Sequence, residues 1–507
     1  MSNKIHLDRK SRIPLYLQIK RQIQEMILSN SLSEGSRFQP SRESARIQGV
    51  NRNTVVAAYN ELVAEGFIES HVGRGSLVKG KEFIGKEREI SQPFYWSELT
   101  VFPKPTIIDS LFKDIIDFCS RENIISFASG VPAPESLPVE EFHGIIPDLL
   151  GKKGKEILQR LPSGGHYPLR EMLAHWMNLE GKSTSPNEVL ITIGSQQAIY
   201  LLTETFLDPG DVIAVKSPTY LGALQVFKSV RANIFSIRMD ENGMRVDILE
   251  NFLSRQSTKF IYTLPTFQNP SGAVLSLERR NRLLYLAYKF QVSLIEDDAY
   301  SNLYYERKPP PSLKVLDKHN YVIYVSTFSK ILFPGLRIGW IIAPQQILER
   351  LKQMKQLIDL HSNALGQWAV HEFCRKGLLE KHVRKAQGVH IQKRDTMISA
   401  LKKYCSPFMG CNKPEGGFYL WCKLKEGFNS VDLLRKASYE RVAFIPGETC
   451  YTEGKGGEFL RFNFTYEKGA SIKEGIKRLS KALRGLKRKT KAEKERERYD
   501  KKPLTRK

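Results

Sequence analysis

Ser326-Thr-Phe-Ser-Lys-Ile-Leu-Phe-Pro-Gly-Leu-Arg-Ile-Gly-Trp340 is the stretch whose reading decides the fold. A β-rich run, Tyr321 to Val325, leads into it and ends in small hydroxylic residues before presenting Lys330. Seven positions later a Gly-Leu-Arg turn supplies Arg337. A lysine at a strand's end, followed by an arginine from a turn, suits a Schiff-base lysine beside a phosphate clamp. The ordinary alternative for a Ser-Lys pair is a lysine on a solvated loop. The choice between them depends on what the rest of the chain supplies.

A carbonyl cofactor such as pyridoxal phosphate needs a carboxylate at its pyridine nitrogen, so that the ring stays protonated and draws electrons from the substrate's Cα. Asp297 suits that role. It follows the apolar, strand-like Val292-Ser-Leu-Ile-Glu296, at the carboxyl end where open α/β sheets place their chemistry. Tyr300, three residues on, and Asn269, in Thr266-Phe-Gln-Asn-Pro-Ser-Gly272, are within reach of a ring hydroxyl. About 30 residues separate Asp297 from Lys330, enough for the crossover between two parallel strands. Val189-Leu-Ile-Thr-Ile193 reads as a further strand, and Gly194-Ser-Gln-Gln-Ala198 opens the following helix, whose free amides and dipole favour a phosphate. Tyr220, after Lys216-Ser-Pro-Thr219, offers a ring to stack on a cofactor, or plain core packing. Arg461, in Phe459-Leu-Arg-Phe-Asn463, offers a fork for a substrate carboxylate, or a surface ion pair.

The order of these motifs resembles the fold-type I aminotransferases, over residues 106 to 485. The resemblance implies an α/β fold with a mainly parallel central sheet, flanking helices and a smaller C-terminal α/β subdomain. It implies that Lys330 forms the internal aldimine, with Asp297 and Tyr300 completing a catalytic set. Asn269, Tyr220, Ser195, Gln196, Ser329 and Arg337 would join them around pyridoxal 5'-phosphate. Arg461, Asn269 and Gly130, the last within Phe127-Ala-Ser-Gly-Val-Pro132, would meet the substrate. No metal is implied. One departure stands out. Many relatives carry a tyrosine about ten residues before the Pro-Leu-Arg at 168 to 170, reaching the partner subunit's phosphate; here Arg160, Leu161 and Pro162 occupy those places, with His166 and Tyr167 nearby. Arg160 is a candidate substitute, and the contact between subunits is open.

Such a domain occupies roughly 400 residues, and the chain has 507, so an extra domain is expected, mostly at the front. Pro14 to Leu28 carries Tyr16, Ile19, Ile23, Met26 and Ile27 at helical spacing. Pro40-Ser-Arg-Glu-Ser-Ala-Arg46 starts a second helix with Ser41 as its N-cap, and Gly49 breaks it. A third begins at Asn51-Arg-Asn-Thr54, burying Val55 or Val56, Tyr59, Leu62 and Val63 while Arg52, Asn53 and Thr54 point outward, as a recognition helix does toward base edges. Phe67 to His71 and Ser76 to Val78 read as two strands around Val72-Gly-Arg-Gly75, a wing whose Arg74 tracks a phosphate backbone or minor groove. Residues 12 to 80 are similar to the winged helix of the GntR regulators, which implies DNA contacts from Ser41, Arg42, Arg52, Asn53, Thr54 and Arg74. Joined to an aminotransferase-like domain, this is the layout of the MocR/GabR family of transcription regulators.

The expected organisation is a winged helix-turn-helix domain at 1–80, a linker at 81–105, the large domain at 106–485 and a basic tail at 486–507. The linker carries a charged run, then Pro93, Pro103 and Pro105 with Phe94, Tyr95 and Trp96. The tail is disordered or a charged helix, and the segment from Arg484 to Lys507 holds about a third of a net charge of +24, an excess that fits a chain meeting nucleic acid. Cys119, Cys374, Cys405, Cys411, Cys422 and Cys450 form no CxxC pair and no zinc spacing, so reduced cysteines in a cytoplasmic protein without structural metal are expected. The start of the chain is charged, unlike a signal peptide, and no stretch is apolar enough to span a membrane.

These readings lead to a regulator, expected as a homodimer on an operator with paired half-sites, that binds pyridoxal phosphate and senses an amino acid or amine by transaldimination. Two alternatives stay open on the residues. One is a working amino acid:2-oxo acid aminotransferase with a DNA-binding appendage; the other is a regulator that responds to pyridoxal phosphate itself.

Overall fold

The computed structural model describes residues 5–9, 11, 13–29, 31–71, 75–79 and 107–486. The chain divides into two compact units, Met1–Phe102 and Pro103–Lys507. The linker at 81–105, the tail beyond Leu486 and Arg74 lie outside the described residues.

In the first unit, the helices Leu15–Leu28, Ser41–Gln48 and Arg52–Ala64 are followed by the strands Ile68–His71 and Gly75–Val78. These strands pair antiparallel, with Ile68 opposite Val78 and His71 opposite Gly75. Ile19 and Ile23, four apart on the first helix, meet Ala45, Val55, Ala58, Tyr59, Leu62 and Ile68 in one small core. Each large aliphatic side chain buried there stabilises the unit by about 1.5–3 kcal/mol. Of the expected stripe, Val55 rather than Val56 faces inward, and Val63 turns out to solvent at 39% exposure. The helical period reaches Leu62 and Ala58 instead, and places Val63 on the outer face. A second expectation is also corrected: Ser41 is the first helical residue, not the N-cap. Pro40 takes the cap position in extended conformation, and no side chain caps the helix. The third helix is capped by Asn51, whose side chain accepts from the Asn53 amide.

The second unit is built on an eight-stranded sheet. Its order is Val189–Thr192, Gly339–Ile342, Val322–Thr327, Ser293–Asp297, Phe260–Thr263, Val212–Ser217, Asn233–Asp240 and Gly243–Met244. Five neighbouring strands, from Val322–Thr327 to Asn233–Asp240, run parallel; Gly339–Ile342 and Gly243–Met244 run against their neighbours. Parallel strands covered by helices on both faces need apolar residues at every position, and Phe260–Thr263 and Val322–Thr327 are buried throughout. The mainly parallel α/β architecture is therefore as the sequence implied.

A smaller subdomain carries the antiparallel strands Met409–Cys411, Tyr419–Leu424, Phe459–Asn463 and Ile445–Pro446. The helices Leu378–Cys405, Ser430–Tyr439 and Gly469–Arg484 contribute to its apolar core. The early segment belongs here too. Ile125–Ser126 pairs parallel with Val442–Ala443, and Phe127 is fully buried in this core. The expectation of reduced cysteines is corrected at one place: Cys411 and Cys422 face each other across paired strands and are joined by a disulfide. Cys119, Cys374, Cys405 and Cys450 are free thiols. Among the described residues, no helix is long and apolar enough to cross a membrane.

Candidate functional site

Five strands of the large sheet, Val189–Thr192, Val212–Ser217, Phe260–Thr263, Ser293–Asp297 and Val322–Thr327, end at one edge, and the turns that follow them line a cavity of about 510 Å³. That is where a parallel sheet leaves open backbone and helix N-termini together. Ser195 and Gln196 arrive at the start of the helix Ser195–Phe206, after Gly194 at φ +79. Tyr220 precedes the helix Leu221–Ser229. Asn269, Asp297, Tyr300 and Lys330 come from the three central strand ends, while Gly130 and Arg461 come from the smaller subdomain's side. Ser329 and Arg337 stand just outside the lining. Ser329 is buried and held by Thr327 Oγ1 at 3.0 Å; Arg337 donates to the Ile193 carbonyl at 3.0 Å, beside the Gly194 turn. A Cβ on Gly194 would meet the Arg337 guanidinium at 3.0 Å, and the turn's φ of +79 favours glycine there.

Lys330 Nζ donates to the Gly130 carbonyl at 2.6 Å. Burial pushes its ammonium pKa down, and the nearby Arg461 and Arg337 charges push the same way, against Tyr419 and Asp297. Asp297 is buried, and burial raises its carboxyl to about 6; Asp298 adds to the rise, while the Tyr262 hydrogen bond and the Lys330 charge oppose it. Tyr262 donates to Asp297 Oδ2 at 2.6 Å, and Oδ1 has no partner. Tyr300 and Tyr419 share a hydrogen bond of 3.1 Å, and burial raises the Tyr300 hydroxyl well above its ordinary range, so it keeps its proton.

Arg461 is held from two sides. It donates to Asn269 Oδ1 at 2.8 Å and to the Ala128 carbonyl at 2.7 Å, its guanidinium lies 4.2 Å from the Tyr419 ring, and its Nε is unpartnered. Tyr220 donates to Gln196 Oε1 at 3.0 Å, and Gln196 in turn donates to the Gly222 carbonyl at 2.9 Å. The cavity therefore combines a buried lysine, a half-satisfied carboxylate, a guanidinium with a free donor and an aromatic ring at a helix start.

Five contributing residues were given no place at the site from the sequence. Tyr262 is indistinguishable from a core aromatic within Phe260–Thr263, because only the neighbouring strand reveals Asp297. Tyr419 follows Gly416-Gly-Phe418, and a Gly-Gly turn delivering an aromatic to a strand was a readable signal. Ile115, Ile116 and Cys119 line the cavity from the helix Ile107–Cys119. Arg160 is exposed and does not line the cavity of its own chain. His166 is buried against Trp368, with ring centroids 3.9 Å apart, and burial lowers its pKa to about 4.

In the first unit, Arg52 and Asn53 are exposed at the start of the Arg52–Ala64 helix and Thr54 is half-buried. Arg42 is exposed and Ser41 half-buried. Asn53's backbone, held by Asn51, fixes the turn from which these side chains project.

Residues 122–479 match the family described as aminotransferase class I and II, and residues 15–78 match bacterial regulatory proteins of the gntR family. The chain is 38% identical over 396 residues to aromatic-amino-acid aminotransferase 1 of Thermococcus litoralis, spanning 77% of this chain and 94% of that protein. It is 30% identical over 484 residues to the uncharacterized HTH-type transcriptional regulator YisV of Bacillus subtilis, spanning 94% of this chain and 98% of that protein. Among solved structures it is similar to the alpha-aminoadipate aminotransferase LysN of Thermus thermophilus, complexed with N-(5'-phosphopyridoxyl)-L-leucine. That structure has a TM-score of 0.72 at 36% identity and covers 77% of this chain and 99% of its own.

Proposed function

Since this chain belongs to the MocR/GabR family of transcription regulators, a gntR-type module followed by an aminotransferase class I and II domain, we propose that it regulates transcription by binding DNA and that its Lys330 cavity holds pyridoxal phosphate to register an amino acid or amine. The observation that carries the cofactor reading is the Asp297 carboxylate: fully buried at a parallel strand's end, with Oδ1 lacking any partner. A buried acceptor left open is costly unless something donates to it, and a protonated ring nitrogen is such a donor. When bound, pyridoxal phosphate supplies an aldehyde carbon open to amines and an electron-withdrawing pyridine ring.

The chain's residues have distinct tasks around it. Asp297 holds a proton on the ring nitrogen, and Tyr262 keeps that carboxylate oriented. Tyr220 covers the ring's face. Tyr300 and Asn269 reach the ring hydroxyl. Ser195, Gln196, Ser329 and Arg337 take the phosphate at the start of the Ser195–Phe206 helix, where free amides and the dipole favour an anion. Lys330, whose ammonium form burial disfavours, offers Nζ as nucleophile and base. Arg461 takes an effector's carboxylate, with Gly130 and Asn269 beside it.

Arg42, Arg52, Asn53 and Thr54 present the reading face of the DNA-binding unit, with Ser41 and Arg74 as further contacts. The reading includes a homodimer that meets paired half-sites. A second copy has a surface to cover in the second unit, where Leu357, Ile358 and Leu360 expose 81%, 46% and 52% of their area. An effector shifts DNA binding only if it binds two arrangements of the protein unequally.

The test is a Lys330→Ala protein. It is expected to lose the cofactor's absorbance band, and its DNA affinity is expected to stop responding to amines. A retained band would overturn the assignment of Lys330. Steady conversion of an amino donor and a 2-oxo acid, with DNA affinity indifferent to amines, would favour a working aminotransferase instead.

A further inference from the structure

We infer that Tyr419 is a positioning residue with two separable tasks: its hydroxyl orients Tyr300 toward the ring of pyridoxal phosphate, and its ring face holds the Arg461 guanidinium open for an effector's carboxylate. The inference rests on the reading of the Lys330 cavity given above. It gives a role to a side chain that the reading leaves idle.

Tyr419 reaches the cavity from a turn that leaves it little freedom. In Gly416-Gly417-Phe418, Gly417 has a φ of +72, and a Cβ on Gly416 would come within 2.5 Å of the Phe267 ring. The Gly417 amide donates to the Leu303 carbonyl at 2.9 Å, and the Tyr305 amide donates to the Glu415 carbonyl at 2.8 Å. The turn is thereby tied to the segment just after Tyr300. Tyr419 then opens the strand Tyr419–Leu424, which pairs with Phe459–Asn463, the strand that carries Arg461. Its side chain is buried between the two arms of the site.

The hydroxyl meets Tyr300. The two phenol oxygens are 3.1 Å apart, and Tyr419 is the hydrogen-bond partner that the Tyr300 hydroxyl has among the described residues. Two phenols bring two protons to one shared bond, so one proton is left over. When Tyr419 is the donor, the proton of Tyr300 is free for the oxygen of the ring hydroxyl, and each bond in the chain polarises the next. Burial keeps Tyr300 protonated, which keeps that donor in place.

The ring meets Arg461. The guanidinium carbon lies 4.2 Å from the ring centroid, within the range where an aromatic face attracts a cation. The hydrogen bonds of Arg461 go to two neutral oxygens, Asn269 Oδ1 and the Ala128 carbonyl, and its Nε has no partner. A carboxylate in the place of the ring would neutralise the guanidinium. An aromatic face fixes its plane and leaves the charge for a ligand.

The experiment uses the full-length protein and two substitutions. Tyr419→Phe removes the hydroxyl alone; Tyr419→Met removes the ring as well and refills much of its space. Tryptophan fluorescence of the apo-protein gives the dissociation constant for pyridoxal phosphate. On the loaded protein, aminooxyacetate and methoxyamine are compared. Both present the same reactive nitrogen and only the first has a carboxylate, so the ratio of their rates of reaction with the cofactor, read by absorbance, reports on the carboxylate site. Tyr419→Phe is expected to weaken cofactor binding by roughly two- to tenfold, the net worth of one hydrogen bond, with the rate ratio unchanged. Tyr419→Met is expected to show that loss together with a rate ratio lower by on the order of tenfold. A tyrosine with only a packing role would not split the two quantities between the variants. Unchanged cofactor affinity in Tyr419→Phe overturns the first task; a rate ratio that falls equally in both variants, or in neither, overturns the second. Tyr419→Leu takes the place of Tyr419→Met if that protein does not fold. Failure of the unmodified protein to bind pyridoxal phosphate overturns the cofactor reading itself, and the inference with it.

Discussion

Tyr262 and Asp297 sit on neighbouring parallel strands, and the phenol donates a 2.6 Å hydrogen bond to one carboxylate oxygen while the other has no partner. The bond orients the carboxylate toward the cavity and favours its charged form. Tyr262→Phe keeps the ring in its packed place and removes only the donor. A hydrogen bond to a charged group contributes about 1.5–3 kcal/mol, which corresponds to roughly tenfold to hundredfold in cofactor affinity. Equilibrium titration of the apo-protein with pyridoxal phosphate reads this directly, and an unchanged affinity would remove Tyr262 from the site.

The same carboxylate sets a pH dependence. Burial raises the Asp297 pKa from 3.8 to about 6 in the folded protein. The folded state then binds the proton more tightly than the unfolded chain, so the penalty is absent below about pH 4, grows as pH rises toward 6 and is complete above that. Its full size is about 3 kcal/mol. Other buried groups titrate in the same window: Glu296 is raised to about 7 by burial, and His166 is lowered to about 4. A difference measurement isolates Asp297. In the absence of cofactor, Asp297→Asn is expected to gain stability relative to the unmodified chain as pH rises from 4 to 7, read by denaturant unfolding at each pH. A flat difference would contradict the buried, partnerless placement of Oδ1.

What the sequence disclosed, and what it hid, follows from how each residue reaches the site. Lys330 and Asp297 stand at the ends of apolar, strand-like runs, and Asn269 and Tyr220 beside prolines and small residues, so local pattern announces them. Tyr262 acts across a strand boundary, and the order of strands in the sheet is not written in any local pattern. Tyr419 meets Tyr300 over a separation of 119 residues. Ile115 and Ile116 read as an ordinary apolar helix face. The disulfide between Cys411 and Cys422 depends on strand register, which a spacing of 11 residues does not reveal. In the DNA-binding unit the helical period located the core, but it could not choose between Val55 and Val56, or between Ser41 and Pro40 at the cap, because each choice differs by one residue.

Arg461 offers a sharper test of the effector's carboxylate. Its Nη atoms are engaged by Asn269 and the Ala128 carbonyl, and its Nε is unpartnered. Arg461→Lys keeps the charge but loses the planar fork. Amino acids are expected to bind roughly tenfold to hundredfold more weakly to the variant, at about 1.5–3 kcal/mol for a charge-assisted bond. Amines without a carboxylate are expected to change little. Absorbance titration of an amino acid and its decarboxylated analogue separates the two; equal losses for both would mean that Arg461 acts through the cavity's shape alone.

At the DNA-binding unit two adjacent residues are expected to fail in different ways. Asn51 caps the Arg52–Ala64 helix through its bond to the Asn53 amide, at 2.9 Å. Asn51→Ala removes that cap and is expected to lower the unit's stability by about 0.5–2 kcal/mol, with DNA affinity falling only through loss of folded protein. Arg52 is exposed at the first helical position, where its loss leaves the core untouched. Arg52→Ala is expected to leave the melting temperature unchanged and to weaken specific DNA binding by about 1–3 kcal/mol if it reads a guanine edge, relaxing discrimination at one base pair. A loss uniform across sequences, with a salt dependence shallower by about one charge, would place Arg52 on a phosphate instead. Calorimetric unfolding and competition binding on randomised sites distinguish the two variants; an Arg52→Ala protein with native stability and native operator affinity would move the reading face off this helix start.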